Sequence, residues 1–566
     1  YSVLAGEWKG QRMDYIGEWI MSRFRIPLAE YEATAARFNP QGFDADAWVQ
    51  HAKKAGMRYV VYTAKHHEGF AMYHSAYDRF NIVDATPFGR DPLKELADAC
   101  ARADMKLGLY YSQDLDWHEP DGGCPPPGFK SNFGMSWGND WDFPDYEVKS
   151  YARYYEKKVK PQVRELLTNY GPIGLIWFDT PVSITAQQSD ELYQLVHQLQ
   201  PDCLVNTRIG NGLGDYGSMG DNQVPEAKVT GAWETPATLN DTWGYKHFDN
   251  NWKSSTATLS VLAGLAEKNV NYLLNIGPQP DGRLPEPAVQ VLNEVSQWME
   301  CNTEAIHGTR ESPYPYGFEW GWITSRMDSF ADSSRLYLIL REWPQTGFAL
   351  NGLRSTVRRI TLLKSRLGEA GSDALTFRQA LSGAVNQLVV SLTMTSGQNT
   401  LPVVVLELEG EPDIDQRLMM QQGTINLPAA CARIVANSVK SPELNRCGIL
   451  VNWNDALDWV EWDVLIPEAG YYSIDLTTSA VHHSRVWTGG HVVRIETSGT
   501  AIQARITADV IDTRPETRYY AQATTHCGSL YFERSGEQQL ACKALAIRPY
   551  DGLGLALVGL KLTRST

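Results

Sequence analysis

Up to about residue 310 the chain alternates short apolar runs with stretches whose apolar residues recur at helical spacing. Residues 57–63 (Met-Arg-Tyr-Val-Val-Tyr-Thr) and 106–112 (Lys-Leu-Gly-Leu-Tyr-Tyr-Ser) predict strands. Between them, residues 92–104 place Leu93, Leu96 and Ala97 on one face and predict a helix. Residues 146–169 predict a long helix or a pair of helices, leading into the run Ile173-Gly-Leu-Ile-Trp-Phe-Asp-Thr-Pro181. Helices are predicted at 190–199, 255–268 and 286–301, with strands at 203–206 and 270–276. This βαβα order calls for a parallel sheet with helical crossovers. At roughly 300 residues a TIM-like (β/α)8 barrel fits better than an open sheet. No Gly-x-Gly-x-x-Gly follows any strand, so a dinucleotide fold has no support.

From about residue 315 the pattern changes to short alternating strands. Residues 335–341, 387–393 and 401–408 predict parts of one small antiparallel sandwich, and the polar stretch 409–416 reads as a linker. A third unit has its clearest strands at 460–466 and 472–478. Val460, Trp462, Val464 and Ile466 share one face, Glu461 and Asp463 the other, and Pro467-Glu-Ala-Gly470 turns the chain. Residues 552–562 end the protein in another strand-rich segment. The expected organisation is an α/β barrel over 1–312, a β-sandwich over 313–415 and a β jelly roll over 416–566.

The chain has 566 residues, too many for one core. Its 18 Trp and 27 Tyr suit a carbohydrate partner, because aromatic faces pack on the C–H faces of sugars, although large cores and β-domains use the same residues. A net charge of −15 argues against nucleic acid, which needs a basic footprint. The eight cysteines lie too far apart for a disulfide scaffold, and a pairing such as Cys527 with Cys542 stays open. No apolar run is long enough to span a membrane. The chain begins at Tyr1 rather than Met, which fits a leader already removed and a secreted or periplasmic location.

The strongest candidate for chemistry is Asp179. It ends an apolar run as a buried parallel strand would, delivering a charge to its carboxyl end. A residue that merely caps the next turn would look the same. A second signal is Thr63-Ala-Lys-His-His-Glu-Gly-Phe70. Adjacent residues on a strand point to opposite faces, so His66 and His67 suit polar substrate contacts better than one metal ion. Glu7, Glu18, Glu68, Asp116, Asp221, Glu226 and Glu234 compete as the partner of Asp179. Glu226 lies in a patternless loop, which suits a mobile acid/base, whereas Glu234 in Trp-Glu-Thr-Pro reads equally as a strand-end residue.

Taken in order, these segments resemble the retaining α-L-fucosidases of glycoside hydrolase family 29. The matching text is Tyr1-Ser-Val, Gly17-Glu-Trp19, the His66-His67 segment, Phe80-Asn-Ile-Val-Asp84 and Gly108-Leu-Tyr-Tyr-Ser112 with Leu115-Asp-Trp117. It continues through Leu175-Ile-Trp-Phe-Asp179, Val205-Asn-Thr-Arg208, Trp233-Glu234, Trp243-Gly-Tyr245 and Asn271-Tyr-Leu-Leu-Asn-Ile-Gly-Pro278. The resemblance implies that Asp179 is the nucleophile and Glu226 the acid/base, with Glu234 as runner-up. It also implies that Glu18, Trp19, His66, His67, Tyr110, Trp177, Arg208, Trp233 and Glu234 bind substrate. Retention requires the two catalytic carboxyl groups to lie about 5–5.5 Å apart. No metal and no cofactor is implied, and the partner is a fucosylated oligosaccharide or glycoconjugate.

In this family a first barrel strand, ending in a His-Trp-Gly-like segment, precedes the Tyr-Ser found here at the start. The resemblance therefore implies an N-terminally incomplete record of a longer protein, with that strand and one sugar-contacting histidine missing. The segments Trp462-Asp-Val-Leu-Ile-Pro-Glu-Ala-Gly-Tyr-Tyr472 and 555–562 resemble carbohydrate-binding jelly rolls. His482, His483, Trp487 and Tyr519 would line a second glycan site there; a purely structural sandwich is the alternative. Two other readings of the function stand beside the enzyme: a catalytically impaired carbohydrate-binding protein derived from a fucosidase, and a metal-dependent hydrolase using His66 or His67.

Overall fold

The computed structural model describes residues 1–126, 129, 131, 134–328, 330, 332–344, 347–363, 375–383, 385–391, 400–480, 487, 489–513, 521–548 and 554–565. Contacts sort the chain into two units. The first comprises Tyr1–Met219, Gly231–Ser255 and Leu273–Glu300; the second comprises Gly220–Thr230, Thr256–Tyr272 and Cys301–Thr566.

Besides a short antiparallel pair at Glu7–Trp8 and Gln11–Arg12, the first unit has the strands β1 (Tyr59–Lys65), β2 (Lys106–Ser112), β3 (Leu175–Asp179), β4 (Leu204–Val205), β5 (Gly217–Ser218) and β6 (Trp233–Thr238). β7 (Val270–Asn275) enters it only at Leu273. β1 to β4 pair in sequence order and in parallel. A parallel bridge between Asn206 and Tyr216 precedes β5, which pairs in parallel with β6. The intervening helices include α1 (Ala45–Lys54), α2 (Pro92–Ala103), α3 (Lys160–Asn169) and α4 (Ala186–Leu199). Their starts follow the local chemistry. Asp44 and Asp91 cap α1 and α2 by accepting backbone N–H groups, and Thr185 with Gln188 forms a capping box on α4.

One inner layer draws on strands far apart in sequence. Leu175, Trp177 and Tyr216 pack with Tyr59, Val61, Tyr110 and Leu273. The Tyr59 hydroxyl of β1 donates to Glu234 of β6 at 2.5 Å. Trp233 lies across Gly217, where a Cβ would come within 2.2 Å of the ring, so only glycine fits on β5.

The long helix or pair of helices expected at 146–169 is present as several pieces. A 3-10 turn (Tyr146–Val148) and a short helix (Tyr151–Tyr154) precede a π-turn (Tyr155–Val159) that runs into α3. Pro161 is the physical reason, because it has no N–H to donate back to residue 157. The π-turn carries Lys158 inward. Its ammonium lies 3.0 Å from Asp116, 2.5 Å from Asp78 and 3.3 Å from Glu119. Asp116 also holds Lys65 at 3.1 Å, and Lys65 donates to Tyr154 at 2.7 Å.

The second unit is β-rich. Gly321–Asp328, Ser333–Leu340, Val403–Glu409 and Val357–Leu362 form one antiparallel sheet, and Phe348–Asn351, Val385–Ser391 and Thr376–Ser382 form another. Two larger sheets follow, one around Trp459–Ile466 and Gly536–Ala546, the other around Gly470–Ser479, Gln522–Phe532 and Leu555–Arg564. Val460, Trp462, Val464 and Ile466 are buried and Asp463 is exposed, as the alternation requires. One apolar cluster runs from Tyr314 to Leu562 through all four sheets. All eight cysteines are free, which removes the pairing of Cys527 with Cys542. Among the described residues no helix is long and apolar enough to cross a membrane.

Burial by itself works against the charge on Asp116, but the ammonium groups of Lys158 and Lys65 outweigh it and hold the carboxyl below the usual carboxylate range. Asp116→Ala leaves two buried ammonium groups and is expected to cost about 3–5 kcal/mol in urea unfolding at pH 7. Because the folded pKa is depressed, the wild-type contribution is full above the unfolded value of about 3.9 and is lost as pH falls below it. The gap between wild type and variant should therefore narrow on acidification.

Candidate active site

Asp179 closes β3 where the apolar strand meets polar surroundings. Its Oδ2 accepts the Tyr110 hydroxyl at 2.7 Å and its Oδ1 accepts Nη1 of Arg208 at 3.2 Å. Burial first, and then the Asp179 charge, push the Tyr110 phenol well above its ordinary value, so it stays protonated and donates. The next residue, Thr180, is held at φ 59°, a region that β-branched residues rarely adopt, immediately before Pro181. Its hydroxyl donates to the Asp179 carbonyl at 2.8 Å. The strand end is thus a forced turn that fixes where the carboxylate points.

Asn206 explains how Arg208 arrives. β4 stops at Val205, and the Asn206 side chain continues the ladder, accepting from Phe178 N at 2.9 Å and donating to Phe178 O at 3.0 Å. The chain is then free to turn, and Arg208 reaches Asp179 while its Nη2 donates to Met219 O at 3.0 Å.

Four planar groups form a stack beside Asp179. His66 stacks on Tyr110 with centroids 5.5 Å apart, Tyr110 stacks on Trp177 at 5.4 Å, and the Arg208 guanidinium lies 4.5 Å over Trp177. Trp177 donates its indole N–H to Glu234 at 2.9 Å. Burial raises the Glu234 pKa above the ordinary glutamate value, and the Tyr59 and Trp177 donors offset part of that.

His67 lies beneath the stack. Burial, with the adjacent His66 and Lys65 adding to it, holds its pKa well below the histidine norm, so the ring is neutral. Nδ1 is 2.8 Å from Ser112 Oγ, and that hydroxyl already donates to Leu115 O at 2.9 Å. Ser112 has one proton, so Nδ1–H is the donor and Nε2 is left as an acceptor, 3.9 Å from Asp179 Oδ2. A sugar hydroxyl placed there can donate its one proton to either acceptor. Trp19 meets His67 edge-on at 5.3 Å, and Glu18 beside it accepts Gly244 N at 2.9 Å.

The structure therefore brings Trp19, His66, His67, Tyr110, Trp177, Asp179, Arg208 and Glu234 into one connected site, with Glu18 and Trp233 on adjoining residues. Glu226 lies on the segment Gly220–Thr230, which belongs to the second unit. There its N–H donates to Cys447 O at 2.7 Å and its Oε1 accepts Gln522 at 2.5 Å. His482, His483 and Tyr519 lie outside the described residues, and the Trp487 indole donates to Thr478 Oγ1 at 2.8 Å.

Two residues that the sequence reading passed over hold the strand end. Gln113 accepts the Asp179 N–H at 2.8 Å and donates to Arg208 O at 3.0 Å, so one amide sets the spacing of both charged residues. Asp114 accepts from Val182 N, Ser183 N and the Ser183 hydroxyl, which pins the turn after Pro181. Their position just past the β2 strand was the only available signal.

A family model described as Alpha-L-fucosidase matches residues 1–304. The chain belongs to the α-L-fucosidase family. It is a glycoside hydrolase of family 29. An α-L-fucosidase crystal structure from Vibrio sp. strain EJY3 is 31% identical with a TM-score of 0.84, covering 99% of this chain and 93% of that one. The Lactobacillus casei α-L-fucosidase solved with α-L-fucose product is 45% identical with a TM-score of 0.50, covering 53% of this chain and 92% of that one. The tissue α-L-fucosidase of Bos taurus is 26% identical over 403 residues, 67% of this chain and 79% of the relative. Together these establish exo-α-L-fucosidase activity as the family function in which the Asp179 site is to be read.

Gln113→Ala should lower kcat on an aryl α-L-fucoside by up to about 100-fold, since small misplacements of a reacting group cost that much. The melting temperature should change little by comparison. A kcat within twofold of wild type would show that Asp179 and Arg208 are held without it.

Proposed function

We propose that the protein is a retaining exo-α-L-fucosidase that releases terminal α-L-fucose from fucosylated oligosaccharides or glycoconjugates, with Asp179 as nucleophile and Glu226 as acid/base. The observation that carries the reading is the Asp179 carboxylate at the end of β3, aimed by Tyr110 and Arg208. In the first half-reaction an Asp179 oxygen bonds to the anomeric carbon while the glycosidic bond breaks, and the leaving oxygen takes the Glu226 proton. In the second, Glu226 removes a proton from water as it attacks the same carbon, which frees the Asp179 carboxylate and restores the acid. The His66–Tyr110–Trp177 stack offers an apolar wall for the C5 methyl of fucose, and His67 Nε2 accepts a ring hydroxyl.

The proposal includes a (β/α)8 barrel for the first unit. Supporting it are the in-order parallel strands, the inner layer shared by β1, β2, β3 and β7, and the Tyr59–Glu234 bond between β1 and β6. A second glycan site in residues 416–566 belongs to the proposal with Trp487 as its described member.

A second reading makes Glu234 the acid, which its burial and raised pKa favour. Both of its oxygens already accept hydrogen bonds, from Trp177 and Tyr59, which suits a group that orients Trp177.

Asp179→Asn should abolish turnover of an aryl α-L-fucoside while leaving the melting temperature near wild type; a near wild-type rate would overturn the mechanism. Glu226→Ala should cost about 10²–10⁴-fold on a fucosyl disaccharide and far less on an activated aryl fucoside, whose leaving group needs little protonation. If Glu234→Ala shows that leaving-group dependence and Glu226→Ala does not, the second reading replaces the first.

A further inference from the structure

Residues Gly220–Thr230 follow Met219 and precede Gly231, both of the first unit, yet their contacts are with the second. The ties fall on consecutive residues. The Glu226 N–H donates to Cys447 O at 2.7 Å. The Gln522 amide nitrogen donates to Glu226 Oε1 at 2.5 Å. Ala227 lies against Gly448, where a Cβ would come within 2.5 Å of the Ala227 Cβ, and Gly448 itself is at φ 81°.

The groups that make these ties are themselves fixed. Asn445 holds its turn by accepting the N–H groups of Cys447 and Ile449 through its side chain, at 2.9 and 3.1 Å, and that of Gly448 through its carbonyl, at 3.0 Å. Gln522 is 3% exposed and opens the strand Gln522–Phe532, paired with Ser479, with its carbonyl accepting Asp512 N at 2.9 Å. A buried amide on a paired strand has few rotamers to lose, so its hydrogen bond transmits position. It also orients a carboxyl group without placing a fixed cation beside it, which suits a group that must give up and regain a proton in each cycle.

We infer that Gln522 is a positioning residue for Glu226, which gives this strand of the C-terminal β-sandwich a role beyond binding or packing. The inference rests on the acid/base reading of Glu226 given above. It deepens that reading by assigning the partner that aims the side chain.

The test is a leaving-group comparison on the full chain. Gln522→Met keeps the length of the side chain and removes the donor. Its kcat/KM on a fucosyl disaccharide should fall about tenfold, with a change of about twofold or less on an activated aryl fucoside. A purely structural role would lower both substrates together, so an equal fall, or no fall on either, overturns the inference. Gln522→Glu, of the same length and facing Glu226 with a like charge, should show the same selectivity more strongly, and it supplies the reading if Gln522→Met does not fold. Glu226→Ala in the same assays separates the two levels. If it shows leaving-group dependence and the Gln522 variants do not, only the positioning role fails. If Glu226→Ala shows none, the acid/base reading fails and the inference with it.

Discussion

A carboxylate at the end of a buried strand loses hydration that neighbouring donors must replace, and the Asp179 site is organised by that constraint. Tyr110 and Arg208 supply the replacement. Tyr110 comes from the neighbouring strand at a matching level, because β2 and β3 pair Tyr110 with Trp177 and Ser112 with Asp179. Arg208 can reach Asp179 because Asn206 imitates a strand residue and lets the chain leave the sheet early. Gln113 then ties the backbones of Asp179 and Arg208 together. The aromatic stack is a consequence of the same geometry, since Trp177 and Tyr110 occupy adjacent positions on facing strands.

A second charged cluster lies behind the histidines. Lys65 immediately precedes His66, and its ammonium is bound to Asp116, which also holds Lys158. The cluster links the end of β1 to the loop after β2, where Trp117 N donates to His67 O at 2.7 Å. Its third arm depends on Pro161, which opens a π-turn and swings Lys158 inward. Helix irregularity, buried charge and histidine placement are therefore parts of one arrangement. Removing Asp116 strips Lys65 of the carboxylate that holds it while Lys158 keeps Asp78 and Glu119, and a buried ammonium that loses its carboxylate is what makes such clusters costly to break.

The strands β1, β2 and β3 were legible because parallel strands buried on both faces are continuous apolar runs. The register of β1 moved by two residues, from 57–63 to Tyr59–Lys65, which places Lys65 on the strand itself. β5 and β6 were not legible. β5 is two residues, Gly217–Ser218, and β6 carries Pro236 in its middle, which normally argues against a strand. Helix α1 was also passed over, although Asp44 caps it and Val49 and Ala52 are buried. Of the site, Asp179, Arg208, Glu234, the histidines and the aromatic residues could be named from the sequence, whereas Gln113, Asp114 and the role of Ser112 could not. An amide or hydroxyl that fixes another residue's backbone leaves no pattern of its own.

By itself the sequence determined the family and singled out Asp179 as the candidate nucleophile, because both readings rest on local text: an apolar run ending in Asp179, with the other motifs in order. It also determined that the C-terminal half is β-rich, through its alternating apolar positions. Only the tertiary structure decided which groups surround Asp179, that His67 is neutral with Nε2 open, and that Glu226 keeps company with Gln522, 296 residues away. Periodicity reports what a segment does with its own neighbours. Protonation, orientation and partnership depend on burial and on contacts across the chain, and these exist only once the chain has folded.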